Sequence, residues 1–250
     1  MSRIFVTGDT HRGFQRLFNF QDFDQNDLTR DDYLIICGDF GGIWDGGGGD
    51  KKVIESLGRL KYTILFVDGN HESFSALYDY PVEEWHGGYV HRISDNILHL
   101  CRGQVFDIDG KKFFTFGGAA SHDISDGILD PKDPDFKKKY LKLYHNPMAM
   151  FRILGESWWP EEMPSNKEYN VGISNLEKVD YKVDYIISHC PPSSALLYFG
   201  NGTYKTDELS DYLEKIFQKV QPKAFYCGHI HIDENYDKIH VLYYDIQEIV

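Results

Sequence analysis

Ile64-Leu65-Phe66-Val67-Asp68-Gly69-Asn70-His71-Glu72 is an apolar run that stops at Asp-Gly and opens into three polar, chemically competent side chains. A run of this kind, rich in β-branched residues and closed by a turn signal, reads as a buried strand with a loop at its C-terminal end. Open α/β sheets place ligands at that edge. The same grammar appears twice upstream. Arg3 to Thr7 is a strand followed by Gly8-Asp9-Thr10-His11-Arg12-Gly13, and Phe14, Leu17 and Phe18 then have helical spacing. Tyr33 to Cys37 is a second strand, broken by Gly38-Asp39-Phe40-Gly41-Gly42, after an acidic, turn-rich stretch from Asp22 to Asp32. Gly46 to Gly49 reads as a flexible linker, since a phosphate loop of the Walker type needs Gly-Lys-Ser/Thr. Asp50 is the predicted N-cap of a helix with Val53, Ile54, Leu57 and Leu60 on one face. Three strand-loop-helix units in a row imply right-handed crossovers and a parallel sheet core.

From Tyr89 the pattern changes to short β-rich pieces, Ile97 to Cys101, Gln104 to Ile108 and Lys112 to Phe116, the last two joined by an Asp109-Gly110 hairpin turn. Residues 119–179 carry few strand signals and five prolines, and they include Trp158-Trp159. This stretch is predicted to be an insertion over the core, either a lid or an ordinary packed excursion, with Ser165 to Glu168 fitting a capping box. The strand grammar resumes at Val183 to Ser188, followed by His189-Cys190-Pro191-Pro192. Next come an amphipathic helix marked by Leu209, Tyr212, Leu213, Ile216, Phe217 and Val220, and the strand Lys223 to Cys227, broken by Gly228-His229-Ile230-His231. Ile239 to Val250 is β-rich and is predicted to pair with the second sheet. The reading is one domain over residues 1–250.

Twenty-six Lys and Arg against 39 Asp and Glu leave a net charge of −13, which repels nucleic acid and anionic membrane unless basic charge is locally concentrated, and no basic block is visible. The start runs straight into a strand, and no apolar stretch has the length of a leader or a membrane span, so a soluble, cytoplasmic protein is expected. Cys37, Cys101, Cys190 and Cys227 form no Cys-x-x-Cys pair and read as buried free thiols.

The five strand ends together carry Asp9 and His11, Asp39, Asn70 and His71, His189, and His229 with His231. Carboxylate, amide oxygen and imidazole without thiolate make a mixed nitrogen and oxygen site suited to Mn, Fe, Zn, Ni or Co, with manganese the first choice. Seven candidate ligands are too many for one ion, whereas two divalent ions sharing a carboxylate use them all. Two such ions outweigh the charges of Asp9 and Asp39, and a neutral Asn70 keeps the surplus positive. That field suits a bridging hydroxide attacking a phosphorylated substrate in line.

These five motifs, Gly8-Asp9-Thr10-His11, Gly38-Asp39, Gly69-Asn70-His71-Glu72, Ser188-His189 and Gly228-His229-Ile230-His231, resemble in order and spacing those of the calcineurin-like metallophosphoesterase superfamily. The resemblance implies an α/β protein (α+β by some schemes), a two-sheet β-sandwich flanked by helices in four αββα layers, and a phosphoester hydrolase. It implies that Asp9, His11, Asp39 and His231 hold one metal and Asp39, Asn70, His189 and His229 the other, with Asp39 the catalytic bridge. His71 then resembles the histidine that serves the leaving-group oxygen. The phosphatase branch places an Asp and an Arg after its second motif, and this chain has neither there. The partner that orients His71 is therefore not among the motifs. Arg12 is the candidate substrate-phosphate contact, with His122 and Asp123 as further candidates. His86, His91, His99, His145 and His240 read as structural or exposed. The segments from Gly117 to Asp123 and from Trp158 to Glu162 resemble small bacterial and phage members. The competing functions are a scaffold on the same fold, which degraded ligands would mark, and a nuclease, which the charge disfavours.

Overall fold

The apolar runs become strands buried on both faces, and that double burial forces a layered molecule. The structure is a computed structural model that describes residues 2–19, 23–200 and 204–249; Met1, Asp22 and Val250, which the sequence reading included, lie outside the described residues. In chain order the strands are β1 (Ile4–Thr7), β2 (Tyr33–Ile36), β3 (Thr63–Phe66), β4 (Val82–Trp85), β5 (Gly88–Ser94), β6 (Ile97–Leu100), β7 (Gln104–Ile108) and β8 (Lys111–Phe116). They continue as β9 (Ile128–Leu129), β10 (Arg152–Ile153), β11 (Tyr185–Ser188), β12 (Ala224–Cys227), β13 (Glu234–Tyr236), β14 (Ile239–Val241) and β15 (Ile246–Ile249). The α-helices are α1 (Gly48–Leu57), α2 (Phe74–Leu77), α3 (Phe136–Tyr144), α4 (Asn166–Lys178), α5 (Ser193–Gly200) and α6 (Glu208–Val220).

One sheet has the order β15-β1-β2-β3-β6-β5-β4 and the other β13-β14-β12-β11-β8-β7. Each has a parallel centre, β1-β2-β3-β6 in the first and β14-β12-β11-β8 in the second, with antiparallel strands outside it. The sheets pack face to face through Val6, Ile35, Leu65 and Leu98 on one side and Phe106, Phe113, Ile187 and Tyr226 on the other. The outer face of the first sheet is covered by Leu17, Leu57 and Leu77, and that of the second by Tyr169, Leu176, Leu209, Leu213 and Ile216. Burying each such side chain is worth about 1.5–3 kcal/mol, and the result is the four-layer sandwich the motifs imply.

Several local readings meet their physical causes. Asp109 and Gly110 both have positive φ, as the tight turn between β7 and β8 requires. Ser165 and Glu168 form the reciprocal capping box of α4. That helix packs Tyr169 and Leu176 onto the outer face of the second sheet. Four details differ. The helix after β1 is a single 3-10 turn, Phe14–Leu17, and Phe18 is exposed. The N-cap of α1 is Gly47, so Gly48 and Gly49 are helical rather than linker. Asp50 instead accepts bonds from the backbone N–H groups of Trp44, Asp45 and Gly46, capping the loop in front of its own helix. The chain end divides its allegiance: β14 joins the second sheet, while β15 crosses over and pairs antiparallel with β1 of the first. No described helix is long and apolar enough to cross a membrane.

Candidate metal centre

All five motif strands are parallel members of the two sheet centres, so their C-terminal ends converge. The motif glycines let the ends touch. A Cβ on Gly69 would sit 2.1 Å from Asp39 Oδ1, one on Gly228 2.0 Å from Asp9 Oδ1, and one on Gly38, at φ 92°, 2.3 Å from His189 Nδ1. Left-handed backbone gathers here too. Of the eleven described non-glycine residues with positive φ, five are His11, Arg12, Asp39, His229 and His231. Each such conformation costs on the order of 1 kcal/mol, and clustered strain of this kind marks a site that the surrounding fold over-determines.

Ligand atoms of Asp9, His11, Asp39 and His231 all lie within 4.8 Å of one another. His231 Nε2 is 3.0 Å from Asp9 Oδ2 and 2.8 Å from His11 Nε2. The other candidates adjoin this group. His189 Nδ1 donates to the Cys37 carbonyl at 2.8 Å, so a neutral ring turns its Nε2 lone pair toward Asn70 Oδ1 at 3.2 Å and Asp39 Oδ2 at 3.4 Å. Asn70 cannot turn its amide N–H there, because Nδ2 donates to Ser121 Oγ. Three acceptors therefore face one another, an arrangement that only a proton or a cation relieves. His229 stands behind, its ring 5.0 Å from that of His189 and its backbone N–H on Asp9 Oδ1.

The electrostatics point the same way. Burial opposes charge on His189, but Asp39 and Asp9 outweigh it and raise its pKa to about 10. Burial alone would raise Asp9, yet His189 and hydrogen bonds from His11 and His231 bring it down to about 2, and Asp39 is lowered further by His189, His71 and His11. His229 is held neutral, lowered to about 3 by burial and by the charge on His189. Two buried carboxylates that draw positive charge to the strand ends, beside the neutral His229 imidazole and the Asn70 amide oxygen, fit divalent cations.

Residues 2–233 match the family described as calcineurin-like phosphoesterase. The chain belongs to that family. Its curated relatives include a lariat debranching enzyme from Drosophila melanogaster, 22% identical over 92% of this chain and 42% of the relative, and the UPF0046 protein T07D4.2 from Caenorhabditis elegans, 26% identical over 84% and 48%. The chain thus spans less than half the length of these relatives. A solved structure of a candidate 5'-nucleotidase from Staphylococcus aureus aligns with 98% of this chain and 50% of its own at 12% identity and a TM-score of 0.48, a distance at which it adds nothing to the assignment.

In this calcineurin-like phosphoesterase His71 is met by a cation rather than by the carboxylate missing after the second motif. His71 receives the guanidinium of Arg152, Nη1 at 3.4 Å from Nδ1 and Nη2 at 3.3 Å from Nε2, and Arg152 is held in turn by the carboxylate of Asp123. Burial and Arg152 lower the pKa of His71, against the opposing pull of Asp39. Arg12, the arginine singled out in the sequence, is paired with Asp50 at 2.8 Å. Of the pair His122 and Asp123, only Asp123 joins this assembly; His122 is exposed, its ring 5.5 Å from that of His229. The sequence reading missed Arg152, which has no motif and sits on the two-residue strand β10. It also missed Glu162, whose carboxylate accepts from both the backbone N–H and the hydroxyl of Ser121, fixing the group that orients Asn70. The motif segment from Trp158 to Glu162 was the available signal. Glu72 is buried behind Asp39, accepts from the Phe40 N–H, and is pushed well up by burial and by Asp39.

Proposed function

We propose that the protein hydrolyses phosphoesters at a pair of divalent metal ions, manganese first, held by Asp9, His11, Asp39, Asn70, His189, His229 and His231, with Asp39 between them. The observation that carries this reading is that His189 Nε2, Asn70 Oδ1 and Asp39 Oδ2 converge on one point, which a proton on His189 fills when no cation is bound, with the amide and imidazole orientations fixed by Ser121 and the Cys37 carbonyl. Divalent ions in such a set supply a water nucleophile at neutral pH and neutralise phosphate oxygens. The side chains divide the rest of the work. His71 gives a proton to the leaving alkoxide; its lowered pKa makes it a stronger donor and a less populated one, effects that oppose each other. Arg152, with charge directed at the same side, takes a phosphate oxygen, the role the sequence reading gave to Arg12, and also holds His71 in register. Segment 119–179 serves to position Asn70 and His71 through Ser121, Glu162, Asp123 and Arg152. The net charge of −13 favours small phosphorylated substrates over nucleic acid.

The test is turnover of p-nitrophenyl phosphate and its bis ester by metal-defined protein. Asp39→Asn is expected to lose metal and rate together, and His71→Ala to keep metal while kcat falls by about 10²–10⁴. A folded protein inactive with each of manganese, iron, zinc, nickel and cobalt overturns the reading.

A further inference from the structure

A second convergence of ligand atoms lies on β5 and β6 and shares no residue with the centre above. His91 and His99 are register partners across the β5–β6 ladder, and Cys101, two residues beyond His99, returns to the same face. His91 Nδ1 is 2.9 Å from His99 Nδ1 and 3.5 Å from Cys101 Sγ, and the three atoms lie within 4.8 Å of one another. Both histidines are buried.

The surroundings orient this trio. His99 Nε2 lies 3.0 Å from Asp68 Oδ1, and the carboxylate is fixed on its other oxygen by Arg102. With its hydrogen on Nε2, His99 aims the Nδ1 lone pair at His91 and Cys101. A carboxylate behind a histidine in this way sets the tautomer of metal-binding imidazoles and raises their basicity. His91 is neutral at physiological pH, lowered to about 4 by burial and then by His99. Burial pushes the Cys101 thiol up to about 12, so it is no nucleophile by itself, and a metal ion is the agent that makes it a thiolate. The fourth side is open. It faces a cleft of about 770 Å³, walled by Tyr78, Pro160, Glu161, Met163 and Glu168. Arg102 pairs with Asp68 and, at 3.6 Å, with Glu168, so a dication with one thiolate leaves a single positive charge on the side where Glu161 lines the cleft.

We propose that His91 Nδ1, His99 Nδ1 and Cys101 Sγ bind one zinc ion whose fourth position faces this cleft. Two imidazoles with one thiolate are a donor set suited to zinc, and three protein ligands with an open position have the form of a reactive rather than a purely structural site. Tetrahedral zinc with bonds of about 2.0–2.1 Å holds two nitrogens about 3.3 Å apart, so the two rings part by a few tenths of an ångström on binding. The alternative is a hydrogen-bonded chain from Asp68 through His99 and His91 to Cys101 that takes no metal.

Cobalt(II) separates the two, because the centre at the strand ends contains no thiolate and sulfur-to-cobalt charge transfer reports this trio alone. Titration of the full chain with Co²⁺ is expected to give a near-ultraviolet charge-transfer band that saturates at one sulfur-bound ion per chain and is displaced by Zn²⁺. Asp39→Asn retains the band, Cys101→Ser loses it, and His99→Gln, which keeps the sulfur, weakens the binding at least tenfold. Circular dichroism verifies that each variant is folded. No band in the wild type at excess cobalt, or a band that survives Cys101→Ser, overturns the proposal. Neither outcome depends on phosphoester hydrolysis.

Discussion

Arg152 lays its guanidinium against both ring nitrogens of His71, 81 residues away in sequence, while the carboxylate of Asp123 grips its other edge. The two ring nitrogens point away from each other in the ring plane, so a guanidinium that meets both lies across the ring face, and the ring is held rather than locked. Arg152→Ala is expected to lower kcat/KM for p-nitrophenyl phosphate by about ten- to a hundredfold with metal content unchanged. Arg152→Lys restores little, because a point charge cannot grip Asp123 and His71 at once. Steady-state kinetics beside metal analysis checks this, and wild-type kinetics in Arg152→Ala would remove Arg152 from the site.

Asn70 depends on a chain of two bonds, from its amide to Ser121 Oγ and from that hydroxyl to Glu162. Ser121→Ala frees the amide to rotate and point N–H at the ligand set. Metal affinity is expected to fall about ten- to a hundredfold, read by calorimetric titration. Affinity equal to wild type would mean that Asn70 is oriented by something else.

Gly69→Ala tests how tightly the third motif packs on the second. The added Cβ meets Asp39 Oδ1 at 2.1 Å and its backbone nitrogen at 2.5 Å, so the backbone itself must move. The variant should retain a far-ultraviolet spectrum like wild type and lose metal binding and activity. Normal metal binding would show that Asp39 has room the structure denies it.

Asp50 carries a pH dependence away from the centre. Three loop N–H groups and Arg12 bond its carboxylate and hold its pKa below the ordinary value, although burial pushes the other way. A depressed folded-state pKa stabilises the fold above the unfolded value near ~3.9, and the contribution is lost as pH falls through the folded one. Asp50→Asn is expected to cost about 1–3 kcal/mol in denaturant unfolding at neutral pH, with the gap from wild type closing under acid. A gap that stays constant into acid would assign the effect to shape rather than charge.

The sequence by itself determined the strand ends and the polar side chains that meet at them. An apolar run closed by glycine and a polar pair is a local signal, and five runs with the same signal, all on parallel strands, must deliver their side chains to one edge. Residues 9, 11, 39, 70, 189, 229 and 231 were legible for that reason. Only the tertiary structure decided what holds Asn70 and His71. Arg152, Asp123 and Glu162 sit in short, irregular elements where neither a period of two nor one of 3.6 announces a function, and their contacts follow from how residues 119–163 pack on the sheet edge. Packing also sent β15 to the first sheet, since its alternation fits either one, and it brought His91, His99 and Cys101 to one point by strand register, which composition does not encode.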